Sequence, residues 1–203
     1  MAGLAVPELR AIAWGHVIGP VVVGTTLLAF TTAGLLDGPQ PTFLWLGLGA
    51  LILGVVACLD EPAAMVTGAC PATRRRRTVE RLLAASPVVV GWCVLAGLVD
   101  GVNGLSGSAL ALTGTGSLLA AIAAADVLRR LGVDEPGPVV GSVALLGLLG
   151  CLLFQPIGGL VVLQAYDDLG STALWPAVLV MSIAVLAWST NDPASPARTL
   201  RRR

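Results

Sequence analysis

All twelve basic residues of this 203-residue chain are arginines, and each lies between or outside its long apolar stretches. They form four groups: Arg10; Arg74, Arg75, Arg76 and Arg77 with Arg81; Arg129 with Arg130; and Arg198 with Arg201, Arg202 and Arg203. The remaining connections between apolar stretches contain acids and no base. Because cytoplasmic loops of membrane proteins carry an excess of arginine and lysine, this pattern predicts an integral membrane protein and assigns a side to every loop.

Composition supports a membrane class. A mean hydropathy of +0.87 with 12% charged residues lies outside the range of soluble domains. The formal net charge is zero, so nothing indicates a nucleic-acid partner. The four cysteines form no CxxC pair, which argues against a zinc site or a disulfide framework. Arginine without lysine, with abundant Ala, Gly, Val and Leu, indicates a GC-rich bacterial genome such as that of an actinomycete, and hence a bacterial plasma membrane.

Six apolar stretches are long enough to cross a bilayer, which takes about 20 residues. Their approximate limits are 11–36, 42–59, 82–99, 105–128, 138–163 and 172–189. They lack strand-like alternation, and unpaired backbone groups are costly in lipid, so each is predicted to be a helix. The sequence therefore predicts an all-α integral membrane protein: one transmembrane domain over residues 1–203, with six transmembrane helices and both termini in the cytoplasm.

Small residues at spacings of four predict how these helices pack. The rows are Gly107, Ala111 and Thr115; Gly116, Ala120 and Ala124; and Gly147 with Cys151. Such rows let helix backbones approach closely, so spans four and five are predicted to be central. Four tryptophans near span ends are predicted to lie at the membrane interface: Trp14, Trp45, Trp175 and Trp188.

The cytoplasmic loop at residues 60–81, between spans two and three, is the one loop with signs of its own structure. Asp60 can cap a helix that has Pro62 in its first turn, and Pro71 disfavours continuation past Cys70. A short helix over about 61–69 is therefore predicted, and Thr73 can cap a second helix that runs through the arginines into span three. The short helix is either a connector at the membrane face or a docking element. The arginines can bind anionic lipid, a partner, or both.

The segment LDEPAAMVTGACPATRRRRTVERLLAASPVVVGW, residues 59–92, resembles the region between spans two and three in small six-span membrane subunits of actinobacterial ABC transporters, of the ABC-2 exporter-like kind. The resemblance covers the loop between spans two and three and the overall number of spans. It implies a coupling helix received by a groove on an ATP-binding ABC subunit, and a second membrane subunit, like or unlike this one. The partner-binding residues it implies are Asp60, Glu61, Pro62, Met65, Arg74, Arg75, Arg76 and Arg77.

Motifs for catalysis are missing or incomplete. A Walker A motif requires a lysine, and this chain has none. ATP and Mg would therefore have to be held by a partner subunit, and this chain itself is predicted not to be an enzyme. Ser106 lies in a GLSG sequence typical of rhomboid proteases, but the single histidine, His16, is predicted near the opposite membrane face. Gln155 and Pro156 in span five predict either an ordinary proline kink or a pathway-lining kink.

The sequence thus favours a permease subunit of a bacterial ABC transporter, an exporter of a lipid-like, peptide or other amphipathic molecule. No predicted span carries an ionisable residue at its middle, which argues against proton-driven transport. A non-catalytic membrane scaffold or accessory subunit of a larger complex is the alternative, and a membrane enzyme ranks third.

Overall fold

The computed structural model describes residues 14–32, 41–58, 74–101, 106–133, 135–154 and 174–190. They form six α-helices, numbered in chain order: α1 Trp14–Thr32, α2 Pro41–Ala57, α3 Arg74–Leu98, α4 Gly107–Arg130, α5 Pro136–Phe154 and α6 Leu174–Thr190. Each overlaps one predicted span, and the described residues contain no strand. The predictions of an all-α fold and of six helices are confirmed.

Close contacts fix the relative directions of the helices. Gly24 approaches Gly47, and Gly54 approaches Val17, so α1 and α2 are antiparallel. Leu53 packs against Gly141, while Gly49, one turn earlier in α2, packs against Leu145 and Leu148. This order makes α2 and α5 antiparallel as well.

Close contacts also fix the directions of the helices in the second half of the bundle. Trp92 contacts Gly114 and Ala96 contacts Gly107, so α3 and α4 are antiparallel. Gly116 contacts Trp175, and Asp126, farther along α4, bonds to Ser189, so α4 and α6 run in the same direction. Helix α2 thus runs opposite to α1 and α5, and α3 runs opposite to α4 and α6.

The central helices are α2 and α4. Helix α2 packs against α1, α3, α4 and α5, and α4 packs against α2, α3, α5 and α6. None of the described side chains of α2, from Phe43 to Ala57, is exposed. The prediction of a central fourth span is confirmed, but that of a central fifth span is wrong. Helix α5 packs only on α2 and α4 among the described helices, and a Cβ added at Gly147 would meet no atom of a neighbouring helix within 4 Å.

The tryptophans near the helix ends differ in burial. Trp45 is 0% exposed and lies in the core, and Trp175 is also buried, against Gly116 of α4. Only Trp188 exposes its ring among those with described side chains. Position near a span end therefore did not set side-chain burial: in α2, the surrounding helices enclose the ring.

Both ends of α4 are formed by local sequence. Ser106 is its N-cap, and its hydroxyl accepts a hydrogen bond from the Ala109 N–H at 3.3 Å. At the other end Gly132 has φ of 92°, and the Val133 N–H donates to the Leu128 carbonyl at 3.0 Å. This is a Schellman ending, which favours glycine at the left-handed position.

Length and apolarity together select one described helix, α4, as able to cross a membrane. The apolar parts of the other described helices are shorter: Gly15–Phe30, Phe43–Ala57, Leu82–Leu98, Pro136–Gly150 and Leu174–Ser189. The described helices thus give the predicted number and order, but five of them have apolar parts shorter than the predicted spans.

Candidate functional site

Half of the residues predicted to bind a partner lie outside the described ranges. These are Asp60, Glu61, Pro62 and Met65, together with the whole short helix predicted over 61–69. The possible kink residues Gln155 and Pro156 lie outside them too, since α5 is described only to Phe154.

The other predicted partner-binding residues form the first turn of α3. They are Arg74, Arg75, Arg76 and Arg77. The predicted helix running through these arginines into span three is confirmed, because α3 is continuous from Arg74 to Leu98. Only the backbone of these four residues is described, so the contact predicted for Arg74, Arg75, Arg76 and Arg77 with a partner stays a prediction.

The arginine-bearing end of the bundle holds a polar cluster that the sequence did not reveal. We call Asp126 and Arg130 of α4, with Trp188 and Ser189 of α6, the α4–α6 clasp. Asp126 is 3% exposed and Ser189 is 1% exposed. The single Ser189 hydroxyl proton is shared between two acceptors, Asp126 Oδ2 and the Leu186 carbonyl.

The exposed side of the clasp is closed by Arg130. Its Nη1 donates to the Trp188 carbonyl at 3.0 Å, and its guanidinium carbon lies 4.1 Å from the centre of the Trp188 ring. A guanidinium at this distance over an indole is a cation–π contact. Backbone, ring and carboxylate contacts therefore join the ends of α4 and α6 at three adjacent points.

Asp126 escaped prediction because an acid one turn before two arginines looks like an ordinary solvated helix end. The available signal was its place inside an apolar helix, within reach of a serine at the end of another span. A buried carboxylate requires partners, since desolvation of an unpaired charge is costly. The clasp provides one partner on a different helix, so it holds α4 and α6 in register.

A second feature is an apolar groove between α4 and α5, floored by Ile52 of α2. We call it the α4–α5 groove; its volume is about 510 Å³. Helix α4 contributes one face from Ser117 to Leu128, and α5 contributes Val139 to Leu148. The groove stays open because the side chains of α4 that line it are small. Those of Ala120, Ala121 and Ala124 do not reach across to the valines of α5. The members of the predicted small-residue row therefore have different neighbours. Gly116 packs on α6, whereas Ala120 and Ala124 line the groove.

Helices α3 and α4 meet in a tightly packed seam. The Trp92 indole lies against Gly114 and donates from Nε1 to the Leu110 carbonyl at 2.8 Å. The row of Gly107, Ala111 and Thr115 faces α3 at its two ends, since Gly107 meets Ala96 and Thr115 Oγ1 lies 3.4 Å from Cys93 Sγ. Thr115 therefore bonds across helices, whereas Ser117 donates to the Thr113 carbonyl of its own helix at 2.7 Å.

The described residues contain no cluster of three or more His, Cys, Asp or Glu side chains that could hold a metal. Ser106, in the GLSG sequence, is engaged as the cap of α4 and lies 3.0 Å from the Ser108 hydroxyl. Comparison with protein-family models, curated proteins and solved structures gives no match. The site is therefore interpreted from its own chemistry.

Proposed function

We propose that this chain is a multi-pass protein of the bacterial plasma membrane and the permease subunit of an ABC transporter that exports a lipid-like, peptide or other amphipathic molecule. The observation that carries the membrane placement is the apolar outer surface of the bundle. Leu98 of α3 is 75% exposed, Leu146 of α5 is 68% exposed and Met181 of α6 is 63% exposed. Large apolar side chains this exposed on several helices are typical of a surface that contacts lipid or another protein.

The distribution of polar groups supports the same placement. Thr113, Asp126, Ser182 and Ser189 are buried, while large aliphatic side chains face outward on α1, α3, α5 and α6. In a soluble protein, buried polar side chains and large exposed apolar patches are the exceptions. In a bilayer the polar groups face the bundle interior, because lipid offers them no hydrogen bonds.

The arginines supply the orientation. Since α3 and α4 are antiparallel, the first turn of α3, with its four arginines, lies at the same end of the bundle as Arg129 and Arg130. By the positive-inside rule this end faces the cytoplasm. Of the described helices, α4 is long and apolar enough to cross a bilayer, and the apolar parts of the others are shorter.

The transporter part of the proposal rests on the resemblance of residues 59–92 and on the shape of α3. Its first eight residues, Arg74 to Arg81, precede its apolar part and extend the helix by about 12 Å toward the cytoplasm. A force on the loop at 60–73 would pass along this continuous helix to Trp92 and, through Trp92, to α4. A separate ATPase subunit would hold ATP and Mg, and a second membrane subunit, identical or different, would complete the pathway.

Replacing residues 61–69 by a flexible linker of equal length tests the docking role of the loop. We expect loss of the co-purifying ATPase from a tagged chain in its native host. The matched control replaces residues 37–41, in the predicted external turn, and should leave association intact. Undiminished association after the 61–69 replacement would contradict the coupling role. A stoichiometric partner without ATPase motifs would favour the scaffold alternative.

Membrane placement has its own test, in a background without native cysteines. Ser108→Cys lies at the start of α4 and Leu131→Cys at its end, and both positions are exposed. We expect an impermeant maleimide to label Ser108→Cys in intact cells and Leu131→Cys only after lysis. The reverse pattern, or equal labelling of both, would refute the orientation.

A further inference from the structure

We propose that α3 has a hinge at Ser86 and Pro87. About this hinge its cytoplasmic part, residues 74–85, changes angle while its outer part, residues 88–98, stays bonded to α4. The use of the hinge in an ATP-driven cycle rests on the proposed function, because the cytoplasmic part begins with the four arginines of the predicted partner contact. The hinge itself belongs to this chain and is measured without the ATPase.

A proline inside α3 removes one of the backbone hydrogen bonds that would join these two parts. Pro87 has no N–H, and its ring crowds the carbonyl four residues earlier, which is that of Leu83. The Ser86 hydroxyl donates to this carbonyl at 2.8 Å. In lipid such a hydroxyl makes a helix tolerant of proline, because the freed carbonyl finds no water. Since Leu83 and Ser86 both precede the proline, the carbonyl stays paired when the angle between the two parts changes.

The two parts of α3 pack on different helices. Before the proline, Ala84 packs against the small apolar cluster formed by Val17 of α1 and Cys58 at the end of α2. Beyond the proline, the Trp92 indole donates to the Leu110 carbonyl of α4 at 2.8 Å. Small apolar side chains can slide past each other, whereas a buried hydrogen bond is costly to leave unmade. The hinge therefore lies where α3 passes from a contact that can shift to one that holds it.

The outward face of α3 around the proline leaves room for a change in angle. Ser86 and Pro87 are exposed, and so are Leu83 and Val90, about one turn to either side. The described helices leave this face uncovered, so a change in the bend displaces lipid rather than packed side chains. From Arg74 to Pro87 the helix rises about 20 Å. A change of about 20°, the size associated with proline kinks, would therefore move the first turn by about 7 Å.

Spin labels on the full chain in vesicles, in a background without native cysteines, test the hinge. One pair joins Val79, before the proline, to Ala184 of α6. The control pair joins Val94, beyond the proline, to Met181 of α6, and all four positions are exposed. From Val79 to Pro87 the helix rises about 12 Å, so a change of about 20° moves the Val79 label by about 4 Å. We expect the distances of the first pair to spread over a range about 4 Å wider than those of the control pair.

Substitution of the proline separates a hinge from a rigid kink. Pro87→Ala restores the backbone N–H, so it should narrow the distances of the first pair to the range of the control pair. Val90→Ala, on the same exposed face, should leave both ranges unchanged. If Pro87→Ala does not assemble, Pro87→Leu restores the same N–H and makes the same test.

Two results would overturn the hinge. Equal ranges for the two pairs in the unsubstituted chain would show a rigid helix, even if Pro87→Ala shifted the mean distance. A wider range for the first pair that Pro87→Ala left unchanged would place the motion elsewhere. Either result would leave the proposed transporter function standing. A co-purified partner without ATPase motifs would instead remove that function and leave the measured hinge in place.

Discussion

Gly114→Ala should be the most damaging single-methyl change in the described part of the bundle. A Cβ at this position would lie 1.9 Å from Trp92 Nε1 and 2.0 Å from Trp92 Cε2. Ordinary carbon contacts begin near 3.5 Å, so the indole or the helix must retreat by about 1.5 Å. Trp92 is almost fully buried, and its Nε1 is bonded to the Leu110 carbonyl, so retreat breaks that hydrogen bond and opens the seam between α3 and α4.

Three contributions set the change in the free energy of unfolding that we expect for Gly114→Ala. Overpacking costs about 1–3 kcal/mol, and loss of the buried hydrogen bond about 1 kcal/mol more. Replacing a helical glycine by alanine stabilises the helix by about 0.5–1 kcal/mol, which offsets part of this loss. We therefore expect the free energy of unfolding to fall by about 2 kcal/mol. Denaturant titration in mixed micelles, followed by near-ultraviolet circular dichroism of the tryptophans, measures this change.

Gly97→Ala is the matched control. Gly97 lies on the neighbouring helix α3, and a Cβ there would meet nothing within 4 Å. Its substitution should be neutral or stabilising by up to about 1 kcal/mol. Trp92→Phe should partly rescue Gly114→Ala, because the smaller ring leaves room for the methyl group. Equal stabilities of Gly114→Ala and Gly97→Ala, with an unchanged tryptophan spectrum, would refute the close contact.

The clasp and the end of α4 give further expectations in the same unfolding assay. Ser189→Ala removes the hydroxyl donor from the buried Asp126 and should cost about 1–3 kcal/mol, whereas Asp126→Asn in the Ser189→Ala background should recover part of the loss. Trp188→Leu removes the ring beneath Arg130 and should lower the free energy of unfolding by about 0.5–1 kcal/mol, which is less than the loss from Ser189→Ala. A larger loss from Trp188→Leu than from Ser189→Ala would show that the cation–π contact stabilises the clasp more than the buried hydrogen bond does. Gly132→Ala forces a side chain into the left-handed region and should cost about 1 kcal/mol, and no loss would argue against the Schellman ending.

The number, order and approximate placement of the helices could be predicted because apolar runs are bounded by arginines and turn residues. Ser106 caps α4 and Gly132 ends it for reasons local to the chain, and the continuity of α3 through its arginines was predicted from Thr73 and Pro71. Such features depend on the local sequence and do not change with the packing of the other helices. The predicted limits of α5 were less accurate: the helix begins at Pro136, two residues earlier than expected, since proline suits a first turn.

Which helix is central could not be fully predicted, because composition does not report neighbours. Helix α5 is as apolar as a buried helix, yet Val143 and Leu146 face outward. Helix α2 is just as uniformly apolar, yet none of its described side chains is exposed. Its Trp45 is fully buried, and the Nε1 has no hydrogen-bond acceptor among the described residues. In a chain apolar on every face, the hydrophobic pattern loses its power to distinguish inside from outside.

The described contacts divide the bundle into two groups of helices, and this division predicts where motion occurs. Helices α3, α4 and α6 share interhelical hydrogen bonds: Trp92 to Leu110, Cys93 with Thr115, Ser189 to Asp126 and Arg130 to Trp188. The contacts described above among α1, α2 and α5 are glycine and aliphatic contacts. The groove lies at the boundary between the groups, where α4 meets α2 and α5.

Apolar surfaces slide at low cost, whereas shared hydrogen bonds must break. If the chain works in an ATP-driven cycle as proposed, we expect α1, α2 and α5 to move as a unit against α3, α4 and α6, changing the width of the groove. Spin labels on the exposed positions Leu146 of α5 and Met181 of α6 should report a changed distance when the ATPase and ATP are added. Labels on Val94 of α3 and Met181 should keep their distance. If the distance between Leu146 and Met181 stayed constant while that between Val94 and Met181 changed, the motion would lie within α3, α4 and α6. That result would refute the division into two groups.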